Sequence, residues 1–223
     1  MFRIVSQVLL FALPWPIRRR VLNTLFGYHI HPTAKVGFSL ILARRLEMAD
    51  RSRIHHLVCC KGIDKLELGV DSGIASLTYI TGFSTRDDRY FKGNPNRLCE
   101  LVMGRSSGIT SRHFIDCNGG VYIGDFTTVA GLRTQILTHS INVYANRQQT
   151  SPVRIGNYCF LGTGCIILPG AALPDYSILG GGAVLTKAFT ESHTLYAGNP
   201  ARPIKKLNHD TTQYFKRTKH VVD

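Results

Sequence analysis

Tryptophan, acidic residues and regularly spaced cysteines are all scarce in this sequence of 223 residues. There is a single Trp, and 14 Asp or Glu stand against 27 Lys or Arg, which leaves a formal net charge of +13. The six cysteines follow no regular spacing and include no C-x-x-C pair. That pattern excludes a small disulfide scaffold and a zinc ribbon, and it favours a reducing, cytoplasmic location. Since 44% of the residues are hydrophobic and only 18% are charged, a mostly disordered chain is also excluded.

Basic residues without acidic partners are concentrated at the two ends of the chain. Residues 1–35 contain five basic side chains and no acid, and residues 200–223 contain six basic and two acidic ones. Excess positive charge points to polyanionic partners, such as nucleic acid, an anionic membrane surface or a phosphorylated ligand. A nucleic-acid reader would show basic and aromatic residues interleaved along one face, and the sequence has no such signature. We therefore expect no nucleic-acid partner.

The N-terminal segment, residues 1–30, combines apolar and basic side chains. Its apolar run over residues 4–13 is too short to span a bilayer, and it leads into Pro14-Trp15-Pro16 and then three arginines instead of a signal-peptide cleavage site. We predict a kinked amphipathic helical element. It either lies among lipid headgroups, as a peripheral contact with the inner face of the cell membrane, or packs on the body of the protein or a neighbouring subunit.

An internal repeat of six residues organises the C-terminal half. A large aliphatic residue recurs at every sixth position: Ile155, Leu161, Ile167, Leu173, Leu179 and Leu185. A small side chain follows four positions after each of the first five: Cys159, Cys165, Ala171, Ser177 and Ala183. Six is not a helical period, so each hexad predicts one short flat strand with one large and one small inward position. Three such strands per turn form a coil of triangular cross-section with stacked aliphatic residues inside.

The same phase recurs upstream with less regularity, so the predicted coil covers residues 31–207. The register breaks near residues 82–98 and 140–152, two polar stretches that we predict to be loops extruded from the coil. Long loops on a rigid solenoid are usually functional. After Leu185 the repeat stops, and the basic tail over residues 208–223 predicts a short helix that caps the coil.

Five motifs in the C-terminal half point to a known family. They are Val-Tyr-Ile-Gly-Asp at 121–125, Thr-His at 138–139, Ile-Gly-Asn-Tyr-Cys-Phe-Leu-Gly at 155–162, Gly-Ala-Val-Leu-Thr-Lys at 182–187 and Ala-Gly-Asn-Pro-Ala-Arg at 197–202. With them the chain resembles the left-handed β-helix acyltransferases, a hexapeptide-repeat family that includes galactoside, maltose and serine O-acetyltransferases. The resemblance implies an all-β fold, a left-handed parallel β-helix, with acetyl-CoA or another acyl-CoA as cosubstrate and no metal. It also implies a homotrimer whose clefts lie between adjacent prisms.

The resemblance makes His139 the candidate general base. Acyl transfer from a thioester to a sugar hydroxyl requires removal of a proton as the oxygen attacks, and imidazole is suited to that task near neutral pH. In the resembled family a histidine just before an extruded loop does this. Such a base needs a partner for its second ring nitrogen. Close relatives use an Asn or an Asp near this place, so Asp116 and Asn118 are both candidates, and His113 is a third group in the same stretch.

A CoA donor carries phosphates and a long flexible arm, so its site needs cations and backbone N–H groups along a smooth wall. Gly162 and Gly180 leave the coil surface bare enough for the arm to lie against main chain. Thr186, Lys187 and Arg202 would then meet the phosphates. Tight corners and plain surface charge are the alternative explanations of these residues.

Together these features predict an acyl-CoA-dependent O-acyltransferase that modifies a sugar hydroxyl. The N-terminal segment resembles that of the family branch found with bacterial surface-polysaccharide biosynthesis, in which a membrane lipid can carry the acceptor. Two alternatives stay open: a non-catalytic β-helix scaffold or binding protein, and a zinc carbonic anhydrase on the same fold. The second is disfavoured because no histidine follows His113 or His139 at the short spacing that the zinc ligands of that family need.

Overall fold

The computed structural model describes residues 2–219, and most of them form one coil of short strands. Two helices precede the coil: α1 (Phe2–Leu9), which continues into the 3-10 turn Leu10–Ala12, and α2 (Trp15–Phe26). Helix α2 has Pro16 in its first turn, where a backbone N–H would lack a helical partner anyway, and it ends at Gly27, whose φ is 66°. A second 3-10 turn, Gln213–Lys216, follows the coil.

Successive strands fall in rotation on three sheets, the faces of a triangular prism, which are parallel except for the last pair of the second face. The first face has seven strands: His29–Ile30, Arg45–Met48, Lys65–Leu68, Glu100–Met103, Val121–Ile123, Val153–Ile155 and Ala172–Leu173. The second has nine: Lys35–Val36, Arg53–Ile54, Gly73–Ile74, Gly108–Ile109, Thr128–Val129, Phe160–Leu161, Ile178–Leu179, Thr194–Ala197 and Arg202–Lys206. The third has seven: Leu40–Leu42, Cys59–Lys61, Tyr79–Thr81, Phe114–Asp116, Gln135–Ile136, Ile166–Ile167 and Val184–Leu185.

The prism is filled by the aliphatic residues of the hexad repeat. On the first face Ile155 is in register with Ile123 on one side and with Leu173 on the other, and none of the three is more than 3% exposed. The small residues four positions later are also buried, including Cys159 and Cys165. Since every coil places the same position in the same environment, the predicted strands, parallel pairing and core are confirmed.

Each corner of the coil requires a left-handed backbone conformation directly before the small inward residue. Glycine accepts this conformation freely, as at Gly164 with φ 68°, but Tyr158 and Tyr176 also adopt it, with φ 53° and 56°. The two tyrosine rings stack in parallel, with centroids 5.1 Å apart and an interplanar angle of 9°. Stacking of this kind stabilises neighbouring coils and offsets the cost of the backbone conformation.

Two excursions leave the prism at one edge, the loop edge, where strands of the third face pass into the first. The first excursion, residues 82–99, contains no helix or strand. The second is an antiparallel β-hairpin of His139–Asn142 and Arg147–Thr150, in place of the predicted loop. The sequence does not indicate this pairing because the hairpin faces solvent on both sides and lacks the apolar alternation by which a half-buried strand is recognised.

The N-terminal helices pack on the body of the protein. The Arg18 guanidinium is buried and donates to the carbonyl oxygens of Val36 and Gly37, and the Trp15 indole donates to the Ala34 carbonyl oxygen at 3.0 Å. Two of the groups that suggested a lipid contact therefore bind the coil. The apolar side chains that α1 leaves exposed are Ile4, Val5, Val8 and Leu9. In the described part of the chain no helix has the length and apolar character needed to cross a membrane.

The C-terminal tail returns along the edge between the first and second faces. Its helical part is a single 3-10 turn, in which Phe215 is 2% exposed and packs edge-on against the Tyr176 ring at 5.6 Å. The Tyr214 hydroxyl donates to the Cys159 carbonyl oxygen at 2.9 Å. The short C-terminal helix thus covers the stacked aromatic residues on the side of the prism.

Candidate active site

His139 and Asp116 lie together on the loop edge. Asp116 ends a strand of the third face, and His139 begins the hairpin three residues after the neighbouring strand Gln135–Ile136. The His139 Nδ1 atom is 2.6 Å from Asp116 Oδ2. A carboxylate only accepts hydrogen bonds, so Nδ1 carries the proton and Nε2 has a free lone pair. Nε2 makes no hydrogen bond to any residue among 2–219, and 37% of the side chain is exposed. The imidazole is thus held at Nδ1, and Nε2 is left without a hydrogen-bond partner among these residues.

The Asp116 carboxylate is buried and fully hydrogen-bonded. Besides the imidazole, Oδ2 accepts the backbone N–H groups of Thr138 at 2.9 Å and His139 at 3.1 Å. Oδ1 accepts the Asn118 side-chain amide at 2.5 Å and its backbone N–H at 3.2 Å. Burial raises the pKa of Asp116, but the hydrogen bonds from His139, Thr138 and Asn118 outweigh it, and the pKa lies below the usual value. The group is an anion held in one orientation.

The same pair changes the basicity of His139. The hydrogen bond to Asp116 raises the pKa of the imidazole, partial burial works against it, and the negative charge of Asp116 adds to the increase. A higher pKa makes the neutral ring a stronger acceptor of protons, and it also means that the ring is neutral only at higher pH. Both effects originate in one buried carboxylate.

Asn118 joins this pair to the first excursion. Its side-chain amide nitrogen donates to Asp116 and lies 3.3 Å from His139 Nδ1, while its side-chain oxygen accepts the backbone N–H of Phe83 at 2.8 Å. Of the candidate partners for His139, Asp116 therefore makes the hydrogen bond to the ring, and Asn118 holds Asp116 in place.

His113 lies at a different edge of the prism, between the second and third faces. It is buried, and its ring nitrogens contact the Thr110 hydroxyl at 2.9 Å and the Thr134 backbone N–H at 3.1 Å. Burial lowers the pKa of His113 to about 4, so the ring is neutral near pH 7. These contacts account for a histidine at a position where the repeat expects a small residue, and they give it a structural role.

Residues of the first excursion that the sequence analysis did not single out complete the site. The Phe91 side chain is 5% exposed and meets the His139 ring edge-on, with centroids 5.8 Å apart. The Arg97 guanidinium lies 4.7 Å from the Phe91 ring centroid and donates to the carbonyl oxygens of Phe83 at 2.7 Å and Ser84 at 3.0 Å. A loop residue that packs on a distant histidine leaves no periodic signal, and only the length and polarity of the segment indicated a functional role.

The start of the first excursion is tied to the coil by Asp64. This carboxylate accepts the hydroxyl groups of Ser84 at 2.5 Å and Thr85 at 2.7 Å, the Thr85 backbone N–H at 2.8 Å and the Arg44 guanidinium at 2.9 Å. A separate contact, the Phe83 backbone N–H donated to the Asn118 side-chain oxygen, adds to these four. Side chains of the coil therefore hold the start of the excursion in place.

The two glycines predicted to line a donor site lie on the edge between the second and third faces. A Cβ at Gly162 would come within 2.6 Å of the Gly181 backbone nitrogen, and one at Gly180 would come within 3.0 Å of the Ala197 Cβ. The coils therefore stack closely here because these positions have no side chain. The close spacing alone accounts for both glycines and also leaves the surface smooth.

The three predicted phosphate-binding residues lie elsewhere. Thr186 and Lys187 follow the last strand of the third face, so they are on the loop edge, two coils beyond His139. Arg202 begins the last strand of the second face and pairs with Ala197. The structure thus brings Thr186 and Lys187 to the edge that carries His139 and leaves Gly162 and Gly180 across the third face.

Comparison with known proteins identifies the fold. The crystal structure of the polysialic acid O-acetyltransferase OatWY matches with a TM-score of 0.58 and 19% identity, over 80% of this chain and 84% of that one. A hexapeptide-repeat acetyltransferase from Vibrio cholerae, solved with acetyl-CoA, matches with a TM-score of 0.53 and 19% identity, over 64% and 71% of the two chains. The fold is the left-handed hexapeptide-repeat β-helix. The predicted fold class is confirmed.

Sequence comparison finds acetyltransferases as relatives of this β-helix. Galactoside O-acetyltransferase of Escherichia coli K12 is 36% identical over 66 residues, which are 29% of this chain and 32% of the enzyme. A Staphylococcus aureus Mu50 protein, provisionally named an acetyltransferase, is 32% identical over 76 residues, 33% of this chain and 38% of that protein. The chain thus spans about a third of the length of the curated relatives it matches. No family model matches. The predicted similarity to hexapeptide-repeat acetyltransferases is confirmed.

Proposed function

We propose that this β-helix transfers an acyl group, acetyl in the simplest case, from coenzyme A to a hydroxyl group of a saccharide. The observation that carries the proposal is the His139–Asp116 pair, in which Nδ1 is held by a buried anion, Nε2 has no hydrogen-bond partner among residues 2–219, and the side chain is partly exposed on the loop edge. Galactoside and polysialic acid O-acetyltransferases are among the proteins that resemble the chain, and their names support a saccharide acceptor.

In the proposed reaction His139 acts as the general base. Nε2 accepts the proton of the acceptor hydroxyl as the hydroxyl oxygen attacks the carbonyl carbon of the thioester. The C–S bond then breaks, the coenzyme A sulfur leaves, and it takes the proton back from the imidazolium. The products are an acyl ester and a free thiol, and His139 is neutral again. Asp116 remains ionised throughout, holds the ring and stabilises its protonated form.

Residues at the end of the coil are suited to the donor. Lys187 and Arg202 form no ion pair with residues 2–219, so both cations are available to phosphates. Thr186 lies beside Lys187 on the same edge as His139, and the bare surface at Gly162 and Gly180 would accommodate a flexible arm. The V. cholerae protein of the same fold was solved with acetyl-CoA, which supports this choice of donor.

We also propose that the enzyme works as a homotrimer in the cytoplasm, on an acceptor of bacterial surface-polysaccharide biosynthesis. Support for assembly comes from exposed apolar side chains at the edge between the second and third faces: Leu57 at 63%, Leu77 at 46% and Leu132 at 41%. All six cysteines are free thiols, in keeping with a reducing compartment. A single-chain mass under assay conditions would contradict the trimer.

The two alternative functions have less support. A scaffold needs no imidazole whose Nδ1 is bonded to a buried carboxylate. A zinc lyase needs several ligands around one ion, and among residues 2–219 no three His, Cys, Asp or Glu side chains are grouped to hold one. We therefore retain acyl transfer as the proposed function.

The test is the variant His139→Ala. We expect kcat for acyl transfer from acetyl-CoA to fall by about 10²-fold or more, in line with the loss of a general base, while acetyl-CoA binding stays unchanged. Release of free thiol with a panel of saccharides measures the first quantity, and calorimetry measures the second. The control is His29→Ala, since His29 is exposed on the first face, away from the loop edge. A folded His139→Ala protein with wild-type kcat would show that another residue is the base.

A further inference from the structure

The two excursions and the neighbouring coil line a pair of open cavities near the candidate base. One cavity has a volume of about 470 Å³ and the other about 340 Å³, and Gly93 lines both. Five basic side chains line them: Arg97 and Arg154 in the larger cavity, and Arg89, Lys92 and Arg147 in the smaller. Of the described residues, no Asp or Glu lines either one. A concave surface with positive side chains only is the arrangement that concentrates anions.

Three of the five cations are available to a ligand. The Arg97 guanidinium already donates hydrogen bonds to backbone carbonyl groups, and Arg89 forms an ion pair with Asp87 at 2.7 Å. The remaining three, Lys92, Arg147 and Arg154, are exposed and form no ion pair within residues 2–219.

The acidic groups near the cavities do not neutralise these cations. Asp87 forms an ion pair with Arg89, and Glu100 accepts a hydrogen bond from the Tyr122 hydroxyl at 2.9 Å. Asp88 is exposed on the excursion and lines neither cavity. Positive charge therefore remains in excess at this place.

Both cavities adjoin the residues of the candidate site. The larger one is lined by Gly119, which follows Asn118, and by Thr150, which is paired with His139 in the hairpin. The smaller one is lined by Phe91, whose ring contacts the His139 ring. Asn94 also lines the larger cavity, and its side-chain oxygen accepts the Thr150 backbone N–H at 3.1 Å, which joins the two excursions.

We infer that the acceptor is an acidic saccharide, one with a carboxylate or a phosphate on or next to the sugar that is modified. This inference rests on the proposed function and names its substrate class. Arg147 and Lys92, or Arg154, receive the anionic group through charge-assisted hydrogen bonds, for which the planar guanidinium is well suited. The Tyr122 ring, with the Arg154 guanidinium 4.4 Å from its centroid, forms part of the wall against which a sugar lies. Neutral galactosides lack the group that these cations recognise.

The test compares acids with neutral sugars of the same shape. Calorimetry on the full-length protein would use trigalacturonic acid against its methyl ester, and galactose 1-phosphate against galactose, all at millimolar concentration. We expect at least one acid to bind ten-fold or more tightly than its neutral counterpart, with a difference that shrinks as salt is added. The carboxylate and phosphate pairs show which anion is preferred.

One double and one single substitution locate the preference. Lys92→Gln with Arg147→Gln, or Arg154→Gln alone, should reduce binding of the preferred acid by ten-fold or more. The matched control is Lys35→Gln with Arg45→Gln, which removes two exposed cations at the far end of the prism and should leave binding unchanged.

The result that overturns the inference is equal binding of acids and neutral sugars, including no binding of any of them. It is also overturned if the Lys92, Arg147 and Arg154 variants weaken binding of acetyl-CoA and leave saccharide binding intact, because the cations would then serve the donor. The proposed function is tested by a different experiment. A His139→Ala protein that retains kcat would refute His139 as the general base, but it would not affect the preference for acidic saccharides, which is measured by binding alone.

Discussion

At the scale of single residues, Asp116 determines what His139 can do. A solvent-exposed loop histidine would exchange its proton between both ring nitrogens. Here a buried carboxylate holds the proton on Nδ1 at 2.6 Å, and it is itself held by Thr138 and Asn118. In the proposed reaction Asp116 is therefore a positioning residue, one that the substrate does not need to touch.

The pH dependence of the variant Asp116→Asn tests that role. Only neutral His139 can accept a proton, and the wild-type pKa is raised above its ordinary 6.5, so activity should be lost as the pH falls through a value above 6.5. Asparagine removes the negative charge, so the acidic limb of the kcat/KM profile, where activity is lost as the pH falls, should move to lower pH. The maximum of kcat/KM should fall by about 10²-fold or more.

A full pH profile of kcat/KM for both proteins measures the shift. Asp210→Asn, at an exposed carboxylate of the tail, is the control. A purely structural role for Asp116 would lower the maximum and leave the limb in place, which would contradict the interpretation.

At the scale of elements, the first excursion acts as a braced wall of the site. Although it contains no regular secondary structure, Asp64 anchors its start, Asn118 accepts the N–H of Phe83, and Arg97 bonds back to its first residues. These contacts hold Phe91 against the His139 ring. A long segment without helix or strand can thus be positioned by a few side chains of the rigid coil.

The variant Asp64→Asn tests the anchor. Loss of the charge weakens the hydrogen bonds to Ser84, Thr85 and Arg44, so the excursion should open more often. We expect trypsin to cleave the native protein after Arg86 or Arg89 at least several-fold faster than in wild type, with a higher KM for the acceptor.

Asp88→Asn is the matched control, because Asp88 is an exposed carboxylate of the same excursion and should leave the cleavage rate unchanged. Mass spectrometry of the fragments identifies the site of cleavage. Equal cleavage rates in Asp64→Asn and wild type would show that Asp64 does not control the opening of this segment.

At the scale of the whole molecule, the N-terminal helices belong to the protein and still leave an apolar surface. Leu22 and Phe26 of α2 are part of the core, so the segment is not a detachable anchor. A peripheral contact with a membrane could use the exposed face of α1, which carries Ile4, Val5, Val8 and Leu9. Among the three consecutive arginines only Arg20 is exposed. Any such contact is therefore more apolar and less electrostatic than the sequence indicated.

Vesicle binding by Val5→Gln with Leu9→Gln tests this contact. We expect the wild-type protein to co-sediment with vesicles rich in phosphatidylglycerol at low salt, and the double variant to lose most of that binding, because two exposed apolar side chains of α1 become polar. Substitution is preferred to deletion of residues 1–27, which would uncover the core. Ile204→Gln, at an exposed apolar residue far along the chain, is the control. Wild-type protein that stays in the supernatant would contradict the membrane proposal.

The core and the strands were open to prediction from sequence because the signal is local and repeated. The spacing of Ile155, Leu161 and Ile167 places one aliphatic residue on each face, and every later coil repeats the arrangement. The left-handed turn of the coil could be predicted only from the family resemblance, because neither composition nor the period of the repeat distinguishes a left-handed coil from a right-handed one.

The candidate site was open to prediction only in part. His139 could be named from its motif and from the break in the repeat that follows it. Asp116, Asn118 and His113 could not be ranked, because the choice depends on which edge of the prism each one occupies and where its side chain points. The packing of Phe91 and the anchoring by Asp64 had no counterpart in any periodic pattern.

The sequence by itself therefore determined the coil and its core, since those depend on spacing along the chain, and the resemblance that its motifs carry named the candidate base. The tertiary structure decided which of Asp116, Asn118 and His113 contacts the His139 ring, that the second excursion is a hairpin, and that Arg18 and Trp15 bind the coil. It also decided that Lys92, Arg147 and Arg154 gather around the same edge. The physical reason is that hydrophobic burial repeats with the chain, whereas hydrogen bonds and charge clusters depend on distances between side chains that only the folded coil brings together.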